Sequence, residues 1–221
     1  MLIDIEGIDG SGKGTQARLL CDRLNGAGVS ATLLSFPRYQ HTLFGRAVGE
    51  FLNGEYGSLA VVHPFLVSLL FAGDRYESKP FLLEAMQKSD VVVLDRYVPS
   101  NVAHQASKLE GAARADLTAR ILEIEFTIFG LPRPDIVLLL DLPVGVAQEL
   151  IARKGTRQYT ERKADIQEAD SKYLEGVRTV YHDLARSDPI WATIACCDGT
   201  RLRSVEEIAE LVWQAVAAAR R

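Results

Sequence analysis

The sequence is poor in the features that tie a chain to an oxidising compartment, a membrane or a nucleic acid. Only three of its 221 residues are cysteine. Two of them, Cys196 and Cys197, are neighbours, and Cys21 falls inside the first predicted helix, so no disulfide framework is expected; buried thiols in a reducing compartment are. No apolar run approaches the roughly 18 residues of a membrane span, and the longest, such as "IVLLLDL", are far shorter. "MLIDIEG" already reads as a strand, so no signal peptide and a cytoplasmic location are expected. Positive charge is not in excess either: the net charge of −4 argues against a general nucleic-acid binder, whose affinity rests on a basic surface. Repeats and low-complexity linkers are absent.

What is present is the composition of one globular domain, 48% apolar and 24% charged, long enough for one substantial core. Short β-branched and leucine-rich runs alternate with longer helical patterns. Strands are expected at Leu2–Glu6, Ala31–Phe36, Val91–Leu94, Ile136–Leu140 and Trp191–Cys196, nearly continuous apolar runs of the kind buried on both faces. Helices are expected at Lys13–Asn25, Leu43–Asn53, Pro64–Tyr76, Pro80–Lys88, Arg114–Phe129, Val144–Ala152, Glu168–Arg186 and Val205–Arg220. The pattern predicts a three-layer α/β fold with a five-stranded parallel sheet. Ligands in such folds collect beyond the carboxyl ends of the strands. The stretches that follow the strands are "GIDGSGKGT", "PRY", "DRY", "DLP" and "DGT".

The first of these carries the strongest signal. Gly7, Gly12 and Lys13 satisfy the phosphate-loop pattern G-x-x-x-x-G-K-[ST], and Gly10, Ser11 and Gly12 let backbone N–H groups converge on an anion. The following helix adds the positive end of its dipole, and Lys13 would reach the β- and γ-phosphates. The last position departs from the pattern: Gly14 stands where a hydroxyl should hold magnesium. Phosphate binding is mostly backbone work and survives this change, while Thr15 offers a hydroxyl one residue later. "GKGT" is similar to the loop of nucleoside monophosphate kinases, in which phosphates and water hold most of the magnesium.

The acceptor side is less explicit. "VVVLDRY" puts Asp95 and Arg96 at the end of a buried strand, an Asp able to orient metal-bound water and an Arg able to grip a phosphate in a fork; a helix cap and a surface ion pair are the bland reading of the same residues. On the helix "PFLVSLLFAGDRY", winding at about 100° per residue puts Phe65, Leu66, Leu69, Leu70 and Gly73 on the core stripe. Phe71 and Arg75 then fall off it, as a ring to stack on a heterocycle and a guanidinium to meet a carbonyl; a second packing face is the alternative. Asn101 and Gln105 share a face at i, i+4 on the next short helix, with His104 beside them.

Taken in order, "IEGIDGSGKGTQ", "FPRY", "FAGDR", "LDRYVPSNVAHQ", "GLPRPDIVLLLDL" and "DIQE" resemble the thymidylate kinases, which transfer a phosphoryl group from ATP to dTMP. The resemblance covers nearly the whole chain and implies a P-loop nucleoside monophosphate kinase fold, a helical lid at about 153–167, ATP and dTMP as partners, Mg2+, and a homodimer. It implies that Phe71 stacks on thymine, Arg75 meets a base carbonyl, and Asn101, with Gln105 beside it, reads the base edge. Arg96, Tyr39 and Arg38 would hold the acceptor phosphate, and Asp9 would lie near the sugar and the metal. Asp95 would also face the metal, with Asp165 and Glu168 near the sugar or metal. His104 departs from the family's usual aromatic ring against the deoxyribose. Some members carry a catalytic arginine at the position of Gly10; the glycine here is similar to the bacterial type, in which a lid supplies the cation. "RKGTRQYTERK", with five basic residues and one acidic, is the candidate lid, with Arg153 and Arg157 leading.

Two rivals remain at this stage. Another pyrimidine nucleotide or nucleoside kinase would share the loop. A nucleotide switch would use it without an acceptor, but no N-K-x-D guanine motif is present, and Asp95 is followed by Arg rather than the Glu of water-activating ATPases.

Overall fold

A computed structural model of the chain describes residues 1–57, 61–153 and 171–220. Five parallel strands form the sheet: β1 (Leu2–Glu6), β2 (Ala31–Ser35), β3 (Val91–Asp95), β4 (Ile136–Asp141) and β5 (Trp191–Ala195), in the order β2-β3-β1-β4-β5. The expected strands are all present, with ends moved by one residue at most. Every residue of β1 is buried. In the centre of the sheet Ile3 pairs with Val93 on one side and Ile136 on the other. "VVVL" at the start of β3 is apolar on both faces because helices cover both, whereas β1 turns Ile3 and Ile5 to one face and the buried Asp4 and Glu6 to the other.

Those helices are α1 (Lys13–Gly26), α2 (Leu43–Leu52), α3 (Pro64–Lys88), α4 (Val98–Ala106), α5 (Gly111–Leu122), α6 (Val144–Arg153), α7 (Ser171–Ser187) and α8 (Val205–Ala219). A capping box at Ser204 and Glu207 starts α8. Cys21 and Cys196 are buried thiols, and the three cysteines are unpaired. Among the described residues no helix is long and apolar enough to cross a membrane.

Three expectations need correction. The two helices expected at Pro64–Tyr76 and Pro80–Lys88 are one, with Pro80 inside it. Proline there forfeits one backbone hydrogen bond, yet the buried residues Ser78, Leu82 and Ala85 keep the helix on the core through that point. The helix expected at Arg114–Phe129 starts earlier, at Gly111, and widens into a π-helical turn at Glu123–Ile128. A small hairpin, β6 (Cys197–Asp198) and β7 (Arg201–Leu202), follows β5 and was not expected. Its turn passes through Gly199 at φ 59°.

The main core lies between the sheet and its helices, and a satellite core sits to one side. Val48, Phe51, Leu52 and Val67 form this second cluster, with Tyr39, Leu70 and Phe71 packed against it.

Candidate active site

The phosphate loop is shaped by left-handed backbone. Gly7, Gly10 and Gly12 have φ of 144°, 85° and 88°, and Gly12 is the N-cap of α1. The loop is also tight against its neighbours. A Cβ at Gly10 would stand 2.5 Å from the Ala147 carbonyl oxygen, so α6 occupies the space a side chain would need. A loop arginine at this position is therefore incompatible with the way α6 packs, and α6 ends at Arg153, where the candidate lid begins. Lys13 is buried, and its Nζ donates to the Gly7 and Ile8 carbonyls at 2.9 and 2.8 Å. Burial, reinforced by the nearby Arg96, lowers its pKa to about 8. Ser11 is buried within the loop and Thr15 is exposed on the first turn of α1.

Gly14 has a local explanation. A Cβ there would lie 2.9 Å from Asp95 Oδ2. The place of the usual Ser or Thr side chain is thus taken by a carboxylate from the end of β3. Asp9 lies on the other side, paired with the Arg96 guanidinium. Carboxylates with phosphates and water are the donor set Mg2+ favours, so Asp95 and Asp9 fit the ion as its protein ligands. Among the described residues no group of three or more His, Cys, Asp or Glu side chains is placed to hold a metal ion.

Arg96 is the sole described non-glycine residue with positive φ, at 69°. That backbone is held from both sides: Arg96 N donates to Ile5 O, and Tyr97 N donates to Glu6 Oε1 at 2.8 Å. Glu6, wholly buried, also accepts from Ser100 N, Ser100 Oγ and Tyr181 Oη. The strain is aimed at placing one guanidinium. Despite burial, Asp9 keeps Arg96 charged. Its Nη1 also reaches Ser100 Oγ at 3.2 Å and His104 Nε2 at 3.4 Å.

His104 is a polar link rather than a ring facing solvent. Arg96 can only donate, so Nε2 must accept and Nδ1 must carry the proton. Nδ1 then donates to Tyr173 Oη at 2.9 Å, and Tyr173 Oη donates back to the His104 carbonyl at 3.0 Å. Burial, aided by Arg96 and opposed by Asp9, lowers the imidazole pKa to about 3. The neutral ring joins Arg96 to α7 through Tyr173.

The residues expected to read the base do not follow the stripe expected on α3. Leu66 is 57% exposed, whereas Arg75 is 2% exposed. The buried residues of α3 include Ser68, Asp74, Arg75 and Ser78 beside Val67, Ala72, Gly73, Leu82 and Ala85, so the helix buries polar as well as apolar side chains, while of the expected stripe only Leu66 is exposed. Gly73 belongs to the same contact with α2: a Cβ there would meet the Phe44 ring at 2.5 Å. Phe71 is half-buried against the satellite core, one turn from Arg75. The Arg75 guanidinium grips Glu125 through Nε and, at 2.7 Å, through Nη2. Asn101 Nδ2 donates to the same carboxylate at 2.8 Å and to the Ser68 carbonyl at 3.0 Å. Asn101 Oδ1 is buried with no partner. Gln105 is wholly buried, with Oε1 accepting from Lys108 at 2.8 Å and Nε2 without a partner.

The family described as Thymidylate kinase matches residues 5–207. The chain belongs to the thymidylate kinase family. It is 37% identical over 185 residues to the thymidylate kinase of Mycobacterium tuberculosis, covering 84% of this chain and 86% of that one. It is 34% identical over 150 residues to the human thymidylate kinase, covering 66% of this chain and 63% of that one. A solved structure of thymidylate kinase from Candida albicans superposes with a TM-score of 0.75 at 22% identity, covering 99% of this chain and 92% of that chain. That likeness is one of fold, a five-stranded parallel sheet with helices around it, consistent with the expected P-loop kinase fold.

The structure thus brings Asp9, Lys13, Gly14, Asp95, Arg96 and His104 to one edge of the sheet, and Phe71, Arg75, Asn101 and Gln105 beside it. Arg38 is directed elsewhere: its guanidinium lies 4.3 Å from the Phe81 ring centre on α3. Its backbone N–H is held by Asp74, which also accepts from Thr42 and so pins the loop after β2 to α3. Tyr39 packs against the satellite core. Arg157, Asp165 and Glu168 lie outside the described residues, as does the Arg153 side chain. Glu125 and Asp74 are the residues that sequence reasoning missed. Asp74 sat within the quoted "FAGDR"; for Glu125 the only signal was a carboxylate set between Ile124 and Phe126 in "EIEFTIF".

Proposed function

We propose that this thymidylate kinase family member transfers the γ-phosphoryl group of ATP to dTMP, giving ADP and dTDP. The observation that carries the reading is a phosphate loop facing a second anchored cation. Arg96, held by its backbone and by Asp9, stands across the β1–β3 edge from Lys13, close enough to lower the lysine's pKa. One phosphate cradle facing another is the arrangement of a kinase with a phosphorylated acceptor, and a switch or hydrolase has no use for the second.

The chemistry needs no strong base. A monophosphate has its second pKa at about 6, so the attacking oxygen is already anionic at neutral pH. The task is to bring two anions together and to stabilise charge spreading over the transferring group. Loop N–H groups and Lys13 hold the donor phosphates, and Arg96, with Tyr39, holds the acceptor phosphate in line. Asp9 orients Arg96. Phe71 stacks on the thymine ring, while Arg75, Asn101 and Gln105 meet its polar edge. Asp95 and Asp9 would hold magnesium, which would supply neutralising charge to the phosphates. The single domain is completed by a lid at 153–167, whose arginines, Arg153 and Arg157 first, supply the cation that Gly10 does not.

We place the enzyme in the cytoplasm as a homodimer. The apolar outer face of α2 and α3, where Leu43, Leu66 and Tyr76 are exposed, supports a second copy as its cover. The reaction is tested by ADP formation from MgATP with dTMP, dUMP, dCMP, UMP, AMP or thymidine as sole acceptor. Turnover that depends on dTMP supports the reading; ADP release that ignores the acceptor overturns it in favour of a switch.

A further inference from the structure

Behind the proposed base pocket lies a carboxylate that touches neither phosphate nor metal. Glu125 is wholly buried in the π-helical turn, and a widened turn is what brings a residue from this outer helix inward. Phe129 N donates to Ile124 O at 2.8 Å and Leu131 N to Glu125 O at 3.0 Å, closing the turn behind it. An ion pair this deep is a poor way to gain stability, since desolvation offsets most of the attraction. Its value lies in what it holds.

Glu125 holds two side chains in one chemical sense. Its oxygens only accept, so they take Nε and Nη2 of Arg75 and leave Nη1 outside the fork. They also take one Asn101 Nδ2 proton, while the Ser68 carbonyl takes the other. Both partners of that NH2 are acceptors, so the amide has one permitted orientation and Oδ1 must point away from them. Oδ1 is the buried acceptor without a partner. The result is a guanidinium donor and an amide acceptor, both referenced to one carboxylate. A 4-oxo pyrimidine presents the complement, an acceptor at O4 and a donor at N3–H. A 4-amino pyrimidine presents a donor and a lone pair, reversing both contacts. An amide free to rotate by half a turn would read either ring.

We propose that Glu125 is the specificity-determining positioning residue of this pocket, fixing the place of the Arg75 donor and the sense of the Asn101 amide as acceptor so that 4-oxo pyrimidine monophosphates are chosen over 4-amino ones. The inference rests on the proposed function and adds the source of its selectivity.

The test uses Glu125→Gln and Glu125→Asp in the full chain, with kcat and KM measured for dTMP, dCMP and ATP. In Glu125→Gln one carboxylate oxygen becomes a donor facing donors, so the kcat/KM ratio of dTMP over dCMP is expected to fall at least about tenfold. The loss should appear as a higher dTMP KM, with the ATP KM unchanged. Glu125→Asp keeps the charge but retracts it by one methylene, and should lose less. An unchanged ratio, whether turnover stays the same or falls equally for both acceptors, overturns the proposal. If neither variant folds, side-chain 15N NMR of the unaltered protein decides. The Arg75 Nε–H and Asn101 NH2 signals should be ordered without nucleotide and keep their exchange protection when dTMP is added. Ordering that appears only with dTMP overturns the proposal. Absence of dTMP turnover by the unaltered protein is a separate result that removes the kinase reading itself.

Discussion

The two ends of the site are built from different materials. The phosphate end is shaped by backbone, in left-handed glycines, a helix N-terminus and a strained Arg96, to which the Lys13, Asp9 and Asp95 side chains add charge. The base end is made of side chains that hold one another, Arg75, Glu125, Asn101 and Ser68, on helices whose backbones are ordinary outside the π turn. Backbone sites tolerate no added atoms, while side-chain networks tolerate no reversed hydrogen bonds. The phosphate end should therefore govern turnover, and the base end should govern the choice of acceptor.

The largest effect should come from Lys13→Ala. Loss of one preorganised charge on the transferring group should lower kcat by about 10²- to 10³-fold while leaving the ranking of acceptors intact, as steady-state assays over several monophosphates would reveal. Gly14→Thr is expected to be the next most damaging. It restores the common loop residue, but a Cβ would already sit 2.9 Å from Asp95 Oδ2. Displacing that carboxylate should cut kcat by about tenfold to a hundredfold. A variant as fast as the unaltered chain would show that Asp95 has no need of the space.

Asn101→Ala sharpens the other half. Removing the buried acceptor should raise the dTMP KM by about tenfold and narrow the preference over dCMP, with ATP binding unaffected. The smallest effect concerns pH. His104 has its folded pKa near 3, below the unfolded value, so the unfolded chain takes up the proton first. Its contribution to stability is complete above the unfolded pKa of about 6.5 and is lost as pH falls toward the folded value, by at most about 1.4 kcal/mol per pH unit. Urea unfolding of His104→Gln between pH 6.5 and 4 should show a shallower decline than the unaltered chain.

The same contrast explains what could be read in the sequence. Strands such as "VVVLD" and the loop "GIDGSGKG" announce themselves because each residue's local preference agrees with its role. Gly14 looked like a departure from a pattern, and only the position of Asp95 shows why a glycine belongs there. On α3 the reading failed at a definite point: periodicity puts Arg75 off the core stripe and Leu66 on it, but Asp74 and Arg75 are buried and Leu66 is exposed. A buried polar network has no period, since its members are satisfied by partners far away in the chain. Glu125 lies 50 residues from Arg75 and 24 from Asn101. Pro80 misled for a related reason, because packing carried the helix past a residue that local preference treats as a stop. The π turn that aims Glu125 inward has no sequence signature.

The division between the two ends is tested most directly by one comparison, kcat/KM for dTMP, dUMP, dCMP and AMP measured side by side for Gly14→Thr and Asn101→Ala. The account predicts that Gly14→Thr slows every acceptor by a common factor and that Asn101→Ala changes their order at an unchanged ATP KM. A reordering of acceptors by Gly14→Thr, or a uniform slowing by Asn101→Ala, would contradict it.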